Sequence, residues 1–147
     1  MKKRTLIILA SVALVIIIAA IVGLSMYFKP VKNFSASKAD ITMSSKSFFE
    51  EFLKDQSTAN SKYVVNDKTI QITGKIADIK KNDDGTVSVL LDVENPEGDV
   101  SCALTKEESL KADKYKPGMT IIIKGQCTGF QELINKEVIM IRCGIVE

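Results

Sequence analysis

TIQITGKIADI, residues 69–79, alternates apolar and polar side chains with a period of two. That period belongs to a strand with one face buried, because successive side chains of extended backbone point to opposite sides. Gly74 sits in the middle of the run, where a strand that closes into a barrel has to coil and needs backbone without a Cβ. Asp83-Asp84-Gly85 then turns the chain, and residues 86–93 (TVSVLLDV) make a second strand. Asn95-Pro96-Glu97-Gly98 is a second turn, and residues 99–105 (DVSCALT) are a third strand. Residues 106–115 (KEESLKADKY) read as a short helix with a mixed-charge solvated face, stopped by Pro117-Gly118. Residues 119–128 (MTIIIKGQCT) and 137–146 (EVIMIRCGIV) are the last two strands. Three strands, a helix and two more strands is the order of the OB-fold, a five-stranded Greek-key barrel, so the fold class is mainly β.

Upstream of the barrel, Ser44 or Ser45 can open a helix, and Ser47 with Glu50 has the spacing of a capping box. Phe49, Phe52, Leu53 and Ala59 fall near one face at helical spacing, with Phe48 beside them. This N-terminal helix is expected to end near Asn60 and to give its aromatic stripe to the core. Residues 29–43, with Pro30, Asn33 and many Ser, Lys and Ala, read as a tether with no packed face.

Residues 5–28 (TLIILASVALVIIIAAIVGLSMYF) are uncharged and apolar. As a helix they cover about 36 Å, enough to cross a ~30 Å hydrocarbon core with some tilt. A cleavable signal peptide has a shorter apolar part, about 7–15 residues, and a small-residue cleavage site behind it. Met26-Tyr27-Phe28-Lys29-Pro30 is no such site, and Ser35-Ala36-Ser37 lies well past the run. The first cysteine is Cys102, which excludes lipidation beside the apolar run. Lys2, Lys3 and Arg4 keep the N-terminus cytoplasmic by the positive-inside rule, which sends the rest outward. Tyr27 and Phe28 suit the outer interface, while Ala19 and Gly23 have a small-residue spacing common in any Ala-rich span. The organisation is a basic cluster (1–4), a transmembrane helix (5–28), a linker (29–43) and an OB domain (44–147).

Charge and composition narrow the function. The chain holds 20 Lys+Arg and 18 Asp+Glu, and without the basic cluster 17 basic residues face 18 acidic ones. Arg142 is the only arginine in the outer part. Nucleic-acid binders carry a basic stripe, and this domain has none. OB domains bind single strands on the face of strands two and three and on loops 1–2 and 4–5, with aromatics to stack bases. Strands two and three contain no aromatic and no basic residue, and Lys80 and Lys81 are offset by Asp83 and Asp84. Only Phe130 lies near loop 4–5, with Lys136, so these two mark the possible ligand face. His and Trp are absent, so no His-dependent nucleophile relay can be built. No spacing singles out a Ser-Lys or carboxylate pair, and no catalytic residue is assigned. Asp78 with Asp83 and Asp84 lacks the six to eight spaced oxygens of a calcium loop.

Cys102, Cys127 and Cys143 are each in phase with the apolar residues of their strands and should face the barrel interior. The last two strands are neighbours in an OB barrel, so Cys127 and Cys143 could form a disulfide outside the cytoplasm. Three free buried thiols, or another pairing, remain open. Without His or a C-x-x-C pair no zinc site is expected, and no cofactor is implied.

Phe49-x-x-Phe52, Ala59-Asn60-x-Lys62-Tyr63, Ile70-x-Ile72-x-Gly74-x-Ile76 and Asp83-Asp84-Gly85 make up the first half of a longer pattern. Val100-x-Cys102, Lys116-Pro117-Gly118-Met119-Thr120-Ile121, Lys124-Gly125-Gln126-Cys127-Thr128-Gly129 and Arg142-Cys143 complete it. Over residues 45–146 the chain resembles the tRNA_anti-like family of bacterial envelope OB-fold proteins. The resemblance implies fold and location, but no activity and no catalytic or ligand residues. Many relatives look like lipoproteins, whereas this chain uses a transmembrane anchor. The expected function is a membrane-anchored, non-enzymatic binding or interaction module at the cell envelope, its ligand a protein, a peptide or a glycan. A nucleic-acid-binding OB domain and a structural subunit of an envelope assembly are the alternatives.

Overall fold

The computed structural model describes residues 2–28, 34–65 and 67–147. The chain divides into two compact units, Met1–Lys32 and Asn33–Glu147. Among its described residues the first is one helix, α1 (Lys2–Tyr27), of which Ile7–Tyr27 is long and apolar enough to span a membrane. Its serines turn their hydroxyls back onto the helix. Ser11 Oγ donates to the Ile8 carbonyl at 2.8 Å and Ser25 Oγ to that of Val22 at 2.9 Å, which removes two donors that hydrocarbon could not satisfy.

The second unit starts earlier than the sequence suggests. Residues 29–33 of the expected linker lie outside the described residues, but Phe34 is buried and Ile41–Ser44 form a strand, β1. Asp40 fixes the entry, its backbone N–H donating to the Thr69 carbonyl and its Oδ2 accepting from the Thr69 N–H, both at 2.8 Å. Phe34, Ile41 and Met43 supply apolar surface that the surrounding Ser, Lys and Ala conceal, so 34–43 is part of the fold rather than a bare tether.

Two helices replace the one expected. α2 (Ser45–Lys54) is capped by Ser44, whose hydroxyl accepts from the Ser47 N–H at 3.2 Å. At Asp55 the backbone turns extended (φ −156°), and the Asp55 carboxylate caps α3 (Gln56–Tyr63) by accepting from the Thr58 N–H at 3.1 Å. Aspartate is among the strongest N-caps, so a helix that could have run on is restarted here. The break returns Tyr63 onto Phe48 and Phe52, at ring-centroid distances of 5.1 and 5.9 Å.

The barrel follows the expected order: β2 (Ile70–Lys81), β3 (Val87–Asp92), β4 (Gly98–Leu104), β5 (Thr120–Glu132) and β6 (Lys136–Val146). The sheet runs β1-β2-β3-β4-β6-β5 and closes through β2–β5, with β4–β6 parallel and the other barrel pairs antiparallel. Closure leaves the five barrel strands with no long exposed edge. A bulge between Ile76 and Asp78 bends β2, so that it serves β5 with one half and β3 with the other. Gly74 has a different task from the one its position suggests. A Cβ there would stand 2.6 Å from Ser45 Oγ, so the glycine lets α2 come down on the strand.

Between β4 and β5 lie α4 (Lys106–Ser109) and a 3-10 turn (Ala112–Lys114). α4 buries no residue and cannot plug the barrel. α2 does so instead. It buries Phe48, Phe49 and Phe52 and lies against β2, β3, β4 and β6, and Ser45 Oγ donates to the Asp92 carbonyl at 2.6 Å. The Phe49 ring sits where a side chain on Gly98 would be, with the Lys136 carbonyl behind it. Gly98→Ala is therefore expected to destabilise the full-length protein in detergent by about 2–3 kcal/mol, measured by chemical denaturation, because neither ring nor backbone can retreat in a packed core. An unchanged midpoint would show the seat to be loose.

Candidate functional site

Strand alternation sorts the side chains of one barrel wall. Leu91, Val93, Val100 and Val138 face the core, so the residues between them, Asp92, Asp99 and Glu137, face outward. Register brings these three into a row. Asp92 of β3 is opposite Asp99 of β4, Asp99 is beside Glu137 of β6, and Glu137 is opposite Gln131 of β5. The row crosses the face on which OB domains bind their ligands. The β5–β6 hairpin, turning at Leu133-Ile134-Asn135, forms its lip.

Asp99, Glu137, Gln131, the hairpin tip and Lys80 line a cleft of about 190 Å³, and Asp92 lies outside it. Gln131 Nε2 donates to Glu137 Oε2 at 3.0 Å, and Asp92 Oδ1 accepts from the Glu94 N–H at 2.8 Å. Asp99 is different. Among the described residues its Oδ1 is the one buried side-chain oxygen or nitrogen without a hydrogen-bond partner. Burial, and then the charge of Glu137, push the Asp99 carboxyl up from its ordinary 3.8, and Lys80 pulls back less strongly. The lip is apolar and open to solvent, with Leu133 84% and Ile134 97% exposed.

The two residues the sequence offered for this face are engaged elsewhere. Phe130 stacks on Phe52 (5.9 Å between centroids, 11° between planes) and tilts against Phe49 at 6.2 Å, so its ring seals the barrel end under α2. Lys136 pairs with Glu97 at 2.9 Å and with Glu132 at 3.7 Å. The cleft's own residues were missed. The visible signal was Leu133-Ile134, an apolar pair at a hairpin tip where turn chemistry would favour polar residues. Asp83-Asp84-Gly85 is the turn expected of it: Asp84 Oδ1 accepts from the Thr86 N–H at 2.9 Å and the Thr86 hydroxyl at 2.6 Å, and Gly85 has φ +81°.

All three cysteines are buried free thiols. Cys127 and Cys143 are not opposite one another. Register shifts at Lys124/Gln126 and Cys127/Gly129 place Cys127 opposite Met140, whereas Cys143 lies beside Leu104 of β4. The Cys143 thiol lies near both Cys102 and Cys127. Burial pushes the Cys127 thiol up to about 11 and that of Cys143 well above its ordinary value, so neither forms a thiolate readily. A second polar cluster joins the helices: Tyr63 Oη donates to Glu51 Oε2 at 2.5 Å and Lys62 Nζ does so at 2.8 Å. It ties α3 to α2 beside the aromatic stack.

The tRNA_anti-like family model matches residues 1–145. No protein of curated function matches the chain in sequence. Among solved structures, a lipoprotein from Klebsiella pneumoniae subsp. pneumoniae MGH 78578, provisionally described as nucleic acid-binding, is similar over 81% of this chain and 100% of its own, with a TM-score of 0.55 and 19% identity. The S. pombe Stn1-Ten1 complex matches 54% of this chain and 58% of its own (TM-score 0.39, 20% identity). The asparaginyl-tRNA synthetase of Entamoeba histolytica matches 56% of this chain and 21% of its own (TM-score 0.38, 16% identity).

Two outcomes follow from the site and the core beneath it. A carboxyl whose folded pKa is raised costs the fold stability as pH rises through that pKa. Asp99→Asn removes the cost, so the variant should melt higher than the parent at pH 7, and the gain should vanish below about pH 3.8, where the carboxyl is neutral in both states. A lower melting temperature at pH 7 would mean that the carboxylate is already satisfied. The thiols of the native, reduced protein should resist a disulfide reagent at pH 8, and all three should react once it is unfolded. Reaction before unfolding would show that they are not sealed.

Proposed function

Because the chain belongs to the tRNA_anti-like family and sets one membrane-length helix ahead of an OB-type barrel, we propose that it is a membrane-anchored, non-enzymatic binding module whose barrel works outside the cytoplasm. The observation that carries this reading is the chemistry of the barrel's ligand face. Its strands present Asp92, Asp99 and Glu137 in register, with neither a stacking ring nor a basic groove on β3 and β4. Carboxylates repel phosphates, and single-strand binding depends on aromatic platforms and cations. A protein, a peptide or a glycan suits this face better than an oligonucleotide. The outward placement is supported by Lys2, Lys3 and Arg4 ahead of the span. Non-enzymatic action is supported by the absence of His from the chain and of Ser, Thr and Cys from the residues that line the cleft.

The second reading is oligonucleotide binding. The family's name and the description of the Klebsiella lipoprotein favour it, on likeness of fold alone. Fluorescence anisotropy separates the two. Full-length protein in detergent, titrated with labelled single-stranded DNA and RNA, should show no micromolar binding at low salt. Binding that weakens steeply as salt rises would select the second reading. For placement, a tag on the C-terminus should be digested by protease added to intact spheroplasts, and a protected tag would overturn the outward barrel.

A further inference from the structure

We propose that Ser35-Ala36-Ser37 is a proteolytic processing site that the folded barrel keeps shut, so that the seating of one short strap decides whether the chain stays on its anchor or is released. Release rests on the outward placement of the barrel proposed above, whereas the shutting of the site does not. The reaction is hydrolysis of the Ser37–Lys38 peptide bond. Water adds its hydroxyl to the Ser37 carbonyl carbon and a proton to the Lys38 nitrogen. The enzyme it fits is an endopeptidase that reads small side chains one and three residues before the cut, the pattern of signal-peptide processing.

Such an enzyme takes its substrate as an extended strand and places the carbonyl to be cut in an oxyanion hole. The fold withholds both. The backbone here is turned, with the Ser37 N–H donating to the Phe34 carbonyl at 3.2 Å. The scissile carbonyl is that of Ser37, and Lys124 Nζ of β5 already donates to it at 3.0 Å. Ser35, whose side chain the enzyme would read, is pressed onto β6. A Cβ added to Gly144 would stand 2.5 Å from Ser35 Cβ, and the three nearest atoms it would meet all belong to Ser35. Phe34 fixes one end of the strap, buried at 2% exposure. Asp40 fixes the other through its two hydrogen bonds with Thr69. Ala36 and Lys38 are exposed, so geometry rather than depth shuts the site.

A site shut in this way yields to local opening. Residues 34–39 are turn and coil outside the strand pairings, so the strap can lift while the sheet stays whole. Cleavage then follows the population of the lifted strap, provided that it reseats faster than it is cut. A barrel with a seated strap keeps its anchor. A barrel that has not folded, or whose strap is displaced, offers Ser35-Ala36-Ser37 as an extended substrate and is cut free.

The test uses full-length protein in detergent and elastase, whose small specificity pocket suits cuts after Ser and Ala. The parent should stay uncut over residues 35–38. Gly144→Ala wedges a methyl against Ser35, and Lys124→Met frees the Ser37 carbonyl. Each variant should be cut over 35–38 at least about tenfold faster than the parent, the range of one hydrogen bond to a charged group. Mass spectrometry locates the cuts, and cuts confined to 35–38 show a lifted strap rather than an unfolded barrel. In cells, the C-terminally tagged parent should remain in the membrane fraction, and Gly144→Ala should yield a soluble fragment beginning at Lys38. A parent cut over 35–38 as fast as the variants, or variants as resistant as the parent, would overturn the shut site. Faster cutting in detergent with no soluble fragment in cells would overturn the release. In that case a tag protected in spheroplasts would show that the outward placement had failed, and a digested tag that the release alone had.

Discussion

The seat of Phe49 on Gly98 is the constraint on which the rest depends. A closed five-stranded barrel has an open end, and the helix between its third and fourth strands, α4, is four residues long and buries nothing. The end is filled from outside the barrel by α2, which brings Phe48, Phe49 and Phe52 as one aromatic wedge. The wedge enters only because two strands give up their side chains, Gly74 under Ser45 and Gly98 under Phe49. Tyr63 and Phe130 then close around it from α3 and β5. The same contact shapes the outer wall. Gly98 is held between the Phe49 ring and the β6 backbone at Lys136, so the next residue, Asp99, projects outward from backbone that cannot yield. A carboxylate on a mobile loop would swing its oxygens into water. On this strand Oδ1 stays buried and unpaired.

Much of the barrel was legible because each strand has one buried face, and a period of two survives wherever that holds. Residues 69–79 gave a strand observed as Ile70–Lys81, and residues 137–146 one observed as Lys136–Val146. What failed was whatever depended on a single residue with two competing uses. Asp55 fits a helix surface and also caps a helix, and the cap prevailed, splitting α2 from α3. Ser44, one of the two serines expected to open the helix, caps α2, whereas the Ser47–Glu50 spacing marks no second start, because the helix begins where β1 ends. β1 itself is four residues long and pairs in parallel with a strand almost thirty residues on, far too little periodicity to stand out.

The ligand face was hidden for a further reason. Asp92, Asp99 and Glu137 become neighbours only through the registers of β3–β4 and β4–β6, and the second is a parallel pairing across the whole β5 excursion. In sequence Asp99 reads as the first residue of the third strand, behind a Pro-Gly turn. The cysteines show the same limit from inside the barrel. Strand adjacency suggested Cys127 with Cys143, but the β5–β6 register sets Cys127 opposite Met140, with a bulge between it and the level of Cys143, which lies beside Leu104 of β4. A bulge is one extra residue, invisible in composition, and it changes which side chains meet.

The anchor and the cleft, as proposed, compensate for each other. A cleft of about 190 Å³ offers little buried area, and small interfaces rarely exceed modest affinity on their own. Long-range steering would not help much, because the outer part is nearly neutral, with 17 basic residues against 18 acidic ones. Its acidic row acts at contact distance, within a Debye length of about 8 Å at physiological salt. Holding the barrel at a membrane changes the arithmetic. Partners in or on the same surface meet it at an effective concentration set by the tether rather than by bulk solution, so weak contacts suffice for them and not for soluble bystanders. On the proposed function, a shallow cleft on a membrane anchor would select by place first and by chemistry second, a combination that does not depend on a deep pocket.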